Sequence, residues 1–171
     1  MEEGTEVCGG GRLSVEKAQV TLPSGRTKER YIVHPGKAVA MLPVEGEYCY
    51  LERQYRFAVG EWLYEAPAGT MDEGETPEQT AHRELIEETG MQAATFIPKG
   101  IIYPAPGYTD EVITLFEARD LSASDEYQMD DDEMIEVVKI RLDEVEAMIL
   151  SGEIIDAKTI CLMYRCFGCR R

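Results

Sequence analysis

This sequence predicts an α+β fold, and three observations carry the prediction. Several short segments alternate apolar and polar residues or run continuously apolar, as paired strands do. One central stretch, residues 77–89, has the start and stop signals of a helix, and two more helical patterns close the chain. The chain has 171 residues, 44% of them hydrophobic, which is enough for one domain with a real core, with or without a small extra subdomain.

Residues 1–11 are acidic and glycine-rich and read as a flexible lead. VEKAQVTL alternates as a strand, PSG is a turn, and TKERYIV returns, so residues 1–36 are expected to form a lead plus an N-terminal β-hairpin. Arg26, Lys28 and Arg30 on that hairpin read as a solvated strand face. The main domain is expected over 37–171. KAVAMLPV is a buried strand, and EGEYCYLERQYR its hairpin partner, turning at Glu45-Gly46-Glu47. WLYEAPAG leads into the acidic stretch, IIYPAPGYTDE is a strand ending in a stiff loop, and VITLFEARDL and MIEVVKIRL are strands around the acidic loop SASDEYQMDDDE. Asp143 and Glu146 are expected to form a capping box for a helix through Leu150. Asp156 should cap a last helix over 157–167, with Gly168 as its stop.

The net charge of −16 argues against a nucleic-acid or anionic-membrane surface, since both need faces rich in Lys and Arg. A phosphate-bearing substrate stays possible where divalent cations invert the local field. No apolar run is long enough to span a bilayer, and five cysteines fit a reduced compartment better than a disulfide framework, so a cytoplasmic protein is expected. Cys166 and Cys169 form a lone CxxC without a second pair and read as ordinary thiols.

The chemistry concentrates in Gly69–Met91. Thr76 can cap the helix, Pro77 suits its first position, Gln79 closes a capping box and Gly90 supplies a left-handed stop. Glu84, Glu87 and Glu88 share one helix face, while Ala81, His82, Leu85 and Ile86 are expected to pack on the sheet. Crowding three carboxylates is unfavourable unless cations sit among them, and hard oxygen donors select Mg²⁺ or Mn²⁺. A solvated acidic helix face is the plain alternative.

The stretch reads G-x5-E-x7-R-E-U-x-E-E-x-G-U, with Gly69, Glu75, Arg83, Glu84, Leu85, Glu87, Glu88, Gly90 and Met91 in its fixed places. This resembles the signature of the Nudix hydrolase family at every fixed position. The resemblance implies an α/β/α sandwich around a mixed sheet and hydrolysis of a nucleoside diphosphate linked to another group. It also implies Glu84, Glu87 and Glu88, with the carbonyl of Ala68, as ligands to Mg²⁺ or Mn²⁺. Gly69, Glu75 and Gly90 would support the loop, and Arg83 would orient a glutamate through a charge-assisted hydrogen bond.

Outside the signature, HPGKAVAMLPV, LERQYRFAVGEWLYEAPAG, PAPG and the late acidic loop are similar to the ADP-ribose pyrophosphatase branch of that family. The resemblance implies a substrate-binding set of Arg56, Glu65, Pro106 and Gly107, in which Pro106 and Gly107 shape the substrate loop and Arg56 holds a substrate phosphate; the plain alternative for Arg56 is an ion pair with Glu65. It further implies a homodimer through the N-terminal hairpin, with Arg30 contacting substrate in trans. Glu133, with Asp131 beside it, would supply the base or a further metal ligand, and Glu87 would serve the catalytic set from within the signature. The expected reaction is hydrolysis of ADP-ribose to AMP and ribose 5-phosphate. Alternatives are another nucleoside diphosphate-linked compound, such as GDP-mannose or a diadenosine polyphosphate, or a non-catalytic module that binds ADP-ribose.

Overall fold

The structure, a computed structural model, describes residues 5–125 and 135–168. Asp131, Glu133 and Cys169 lie outside the described residues. The chain divides into two compact units, Met1–Lys37 with Tyr103–Val112, and Ala38–Ile102 with Ile113–Arg171.

In the first unit β1 (Thr5–Gly10), β2 (Leu13–Thr21) and β3 (Thr27–His34) form an antiparallel sheet in the order β1-β2-β3. Within the expected flexible lead, Thr5–Gly10 is thus corrected to a strand. Its glycines gave no strand signal, yet the backbone amides of β1 find partners along β2, which satisfies them without any side-chain contribution. Gly11, at φ 59°, makes the turn between the two strands.

The loop Tyr103–Val112 belongs to the same unit. The Val33 amide donates to the Tyr108 carbonyl at 2.8 Å, and the Asp110 amide donates back to the Val33 carbonyl at 3.4 Å. The His34 ring adds a side-chain clamp, with Nδ1 at 2.7 Å from Asp110 Oδ2 and Nε2 at 3.0 Å from Glu16 Oε2. The hydrogen bond to Asp110 raises the His34 pKa above the ordinary 6.5; burial opposes this, and Glu16 adds to it. A raised histidine pKa contributes stability that is complete below the unfolded value and is lost as pH climbs through the folded one. The His34 imidazole should therefore titrate above 6.5 by NMR, and Asp110→Asn should bring the midpoint down. A His34 that titrates below that value would contradict the clamp.

The second unit is built on a mixed sheet. Its strands are β4 (Lys37–Glu45), β5 (Tyr48–Arg56), β6 (Glu61–Glu65), β7 (Ala68–Thr70), β8 (Met91–Ile102), β9 (Val112–Ala123) and β10 (Ile135–Arg141). The order is β10-β5-β4-β9-β8, with β6 added to β5 and β7 to β4. Three helices join them, α1 (Pro77–Thr89), α2 (Leu142–Ser151) and α3 (Ala157–Phe167).

Side chains alternate across β4 and β9 and so build two cores. Val39, Met41, Phe116 and Ala118 pack with Ala81 and Leu85 of α1. Ala40, Leu42, Val44, Ile113 and Leu115 pack with Leu142 and Val145 of α2 and Leu162 and Met163 of α3. A sheet with α1 on one face and α2 and α3 on the other is the α/β/α sandwich that the resemblance implied. A side chain as deeply buried as Leu85 contributes about 1.5–3 kcal/mol to such a core.

Two local readings differ. α2 has no capping box: the helix opens at Leu142 with Arg141 at the cap position, so Asp143 already lies within the first turn, where it takes the Arg141 guanidinium at 3.0 and 3.1 Å. The buried face of α1 takes in Thr80, Glu84 and Glu88 beside Ala81 and Leu85; Ile86 is half-buried, and His82 is exposed yet keeps its ring 4.7 Å from that of Phe96 on β8. Two of the signature carboxylates are therefore held inside the fold, where burial demands partners.

Candidate active site

The site is assembled where β7 and α1 meet. The capping box is formed as expected, with the Gln79 amide on Thr76 Oγ1 at 3.3 Å and the Thr76 amide on the Gln79 side chain at 2.8 Å. Gly90, at φ 69°, ends the helix in the left-handed region. These caps fix the start and stop of α1 and hence which of its glutamates turn inward.

Glu84 and Glu88 are 8% and 9% exposed. Glu88 Oε2 accepts the Ala68 amide at 2.9 Å, which ties the end of α1 to the first residue of β7. Glu84 lies over Gly69: a Cβ added there would fall 1.9 Å from its Cδ and 2.0 Å from Oε1. Only glycine leaves that space. Glu87 is exposed on the solvent side of the same turn.

Arg83 holds the group together. Its Nε and Nη2 donate to the two oxygens of Glu75 at 2.9 and 3.0 Å, its Nη1 donates to Glu84 at 2.7 Å and Glu87 at 2.9 Å, and Nη2 also reaches the Thr70 carbonyl at 3.2 Å. Glu75 also accepts the Asp72 amide and the Thr80 hydroxyl, at 2.9 and 2.8 Å. Arg83, the Asp72 amide and Thr80, in that order, hold its carboxyl down at about 2. Arg83 itself is raised, first by Glu75, with burial opposing and Glu84 and Glu87 adding. One guanidinium thus serves Glu75, Glu84 and Glu87, with Asp72 Oδ2 at 3.9 Å as a fourth carboxylate, so the cluster keeps an excess of negative charge. Among the described residues no three acidic, His or Cys side chains already converge as a ready-made ligand set.

A second group stands at the end of β5 and β6. Arg56 Nε and Nη2 meet the two oxygens of Glu65 at 2.7 Å each. Glu65 is 2% exposed, and Arg56 is half-exposed. The expected alternative for Arg56, an ion pair with Glu65, is therefore present. Arg56 is raised first by its hydrogen bond to Glu65, against burial, with Glu88 and Asp156 contributing through space, so of the signature carboxylates Glu88 reaches the guanidinium. The sequence reading missed the third member of this group. Lys158 of α3 donates to Glu65 and, at 3.1 Å, to Asp156.

Pro106, Gly107 and Arg30 belong to the first unit, where Arg30 is exposed and donates to the Glu29 carbonyl at 2.9 Å. Cys166 sits half-buried on α3, its thiol pushed up to about 12 by burial, which suits an inert thiol. Among the described residues no helix is long and apolar enough to cross a membrane.

Comparison with known proteins gives this geometry a family. The NUDIX domain model matches residues 34–163. The chain is 38% identical over 157 residues to an ADP-ribose pyrophosphatase of Bacillus subtilis (strain 168), covering 90% of this chain and 84% of the relative. It is 35% identical over 158 residues to a methanol dehydrogenase activator of Bacillus methanolicus, covering 91% and 85%. A crystal structure of an ADP compounds hydrolase shares the fold, with a TM-score of 0.84 at 20% identity over 96% of this chain and 90% of that one. The signature resemblance, the sandwich and the family model agree, and the chain belongs to the NUDIX domain family.

Proposed function

We propose that the protein hydrolyses ADP-ribose to AMP and ribose 5-phosphate with Mg²⁺. The observation that carries the reading is the inward pair Glu84 and Glu88, held against Gly69 and Ala68 with a charge excess that Arg83 alone does not balance. The relative named ADP-ribose pyrophosphatase, matched over nearly the whole chain, supports the choice of substrate.

The residues fit a hard divalent cation. The donors are carboxylates, their net charge is negative, and Gly69 leaves room for Glu84 beside the β7 backbone. Glu84, Glu87, Glu88 and the Ala68 carbonyl would hold Mg²⁺, with Mn²⁺ as a substitute of the same donor preference. When bound, such a cation neutralises the diphosphate and polarises a phosphorus atom toward water. Arg83 orients Glu84 and Glu87 through its charge-assisted bonds. Arg56 offers a planar, permanently charged fork to a substrate phosphate, with Glu65 fixing its plane. Water adds to one phosphorus, the bridging P–O bond breaks, and the proton lost by water goes to a carboxylate. We assign that carboxylate to Glu133, with Asp131 in support, both outside the described residues.

Pro106 and Gly107 are assigned to the substrate-binding loop, whose backbone is pinned by Val33. Arg30 is assigned to a substrate contact in trans, in a homodimer formed through the N-terminal strands. The acidic chain and the free thiols of Cys8, Cys49, Cys161 and Cys166 support a cytoplasmic enzyme. A panel of ADP-ribose, GDP-mannose and diadenosine polyphosphates, ranked by kcat/KM in Mg²⁺, tests the substrate. ADP-ribose should lead by about tenfold or more; GDP-mannose in first place would overturn the assignment.

A further inference from the structure

We infer that Lys158 is a positioning residue for this reaction: by sharing the buried Glu65 with Arg56, it keeps the Arg56 guanidinium available to the substrate diphosphate. The inference rests on the assignment of Arg56 to that diphosphate.

Lys158 stands in the first turn of α3, one residue after Ala157 opens the helix. The helix dipole disfavours a cation there. Its side chain is only 11% exposed, so the ammonium is also largely withdrawn from water. Both costs are local, and the compensation comes from Glu65 on β6 and Asp156 at the helix cap. Asp156 is already engaged by the Thr159 amide and hydroxyl, at 2.9 and 2.6 Å. Glu65 is the carboxylate that Lys158 and Arg56 divide between them.

The division matters because Glu65 is desolvated. Burial is the largest single influence on its pKa and acts to raise it, yet Arg56 and Lys158 together bring it below the ordinary carboxylate value. Were Lys158 absent, the full charge of a buried carboxylate would fall on Arg56, and a substrate phosphate would have to compete with it for the guanidinium. With Lys158 present, Arg56 commits Nε and Nη2 to Glu65 at 2.7 Å while its side chain stays 41% exposed toward solvent.

Lys158 is also fixed relative to the strand. The Ala66 amide donates to Thr159 Oγ1 at 2.7 Å, so the first turn of α3 is bonded to the residue that follows Glu65. Thr159 is fully buried. The run from Glu65 to Ala68 is thereby held at one end by α3 and at the other by Glu88. Lys158 acts on the diphosphate through Glu65 and Arg56 and is given no contact with substrate.

Steady-state kinetics on ADP-ribose at saturating Mg²⁺, with circular dichroism and thermal melting of each variant, test this. Lys158→Met should raise KM about tenfold and leave kcat within about threefold, while Lys158→Arg should stay near the wild-type KM. The double variant Glu65→Gln/Lys158→Met removes the unshared charge, so its KM should lie within about threefold of that of Glu65→Gln alone, a non-additive result. A folded Lys158→Met with unchanged KM, or a double variant whose KM rises about tenfold above that of Glu65→Gln, would overturn the inference. If Lys158→Met does not fold, the double variant, which buries no unshared carboxylate, decides by the same KM criterion. Arg56→Met separates the two layers. An unchanged KM there overturns the assignment of Arg56 and this inference with it; a raised KM there with an unchanged one in Lys158→Met overturns this inference alone.

Discussion

Glu88→Gln is expected to lower kcat for ADP-ribose by about 10²–10³-fold, the scale for losing one group that helps stabilise developing charge. The fold should survive. Glutamine keeps an oxygen in the place of Glu88 Oε2, which accepts the Ala68 amide at 2.9 Å, so β7 and α1 stay joined. What goes is a negative charge that is 9% exposed and crowded by Glu84 and Glu87 on the same helix. Removing a like charge from such a group relieves repulsion, so the melting temperature should hold or rise while activity falls. Activity and melting measured on one preparation check this. Turnover close to wild type in a folded Glu88→Gln would remove Glu88 from the reacting set.

Gly69→Ala should lower kcat about 10–100-fold, the range found when a group that orients a metal ligand is disturbed, and should raise the Mg²⁺ concentration needed for half-maximal rate. No positive φ is involved; the effect is purely one of volume. The new methyl would lie 1.9 Å from Glu84 Cδ, and Glu84 has little freedom to retreat, being 8% exposed and bonded to Arg83 at 2.7 Å. Either the carboxylate swings away from the β7 backbone or the strand shifts, and overpacking of this kind costs about 1–3 kcal/mol. Unaltered Mg²⁺ dependence in Gly69→Ala would contradict the placement of Glu84.

What the sequence disclosed about the fold follows how local each cause is. α1 was legible to the residue because Thr76, Pro77, Gln79 and Gly90 act within one turn of its ends, and Asp156 marked α3 for the same reason. β1, β6 and β7 were not recognised as strands, and β8 only in its last residues. These segments owe their conformation to partners elsewhere in the chain, and short or glycine-rich strands carry little pattern of their own. α2 shows the converse, a local capping motif left unused because the helix opens before Asp143, which pairs with Arg141.

The candidate site divides in the same way. The signature named Glu75, Arg83, Glu84, Glu87 and Glu88, and the structure brings those five together around one guanidinium and one strand. Helical periodicity placed His82 and Ile86 on the packed face, and both stand at its margin, His82 against Phe96 and Ile86 half-buried. The fold also buries Glu84 and Glu88, since β7 supplies a backbone amide and a glycine to receive them. Lys158 was invisible as a site residue, although a lysine in the first turn of a helix is itself a signal that a carboxylate waits nearby.

The hydrolysis of ADP-ribose is read directly by ³¹P NMR of that substrate with the protein. With Mg²⁺ present, the diphosphate resonances should give way to two phosphomonoester signals of equal area, those of AMP and ribose 5-phosphate, and chelation of the cation should stop the change. Persistence of the diphosphate signals in Mg²⁺, or conversion that continues in the chelator, would contradict it.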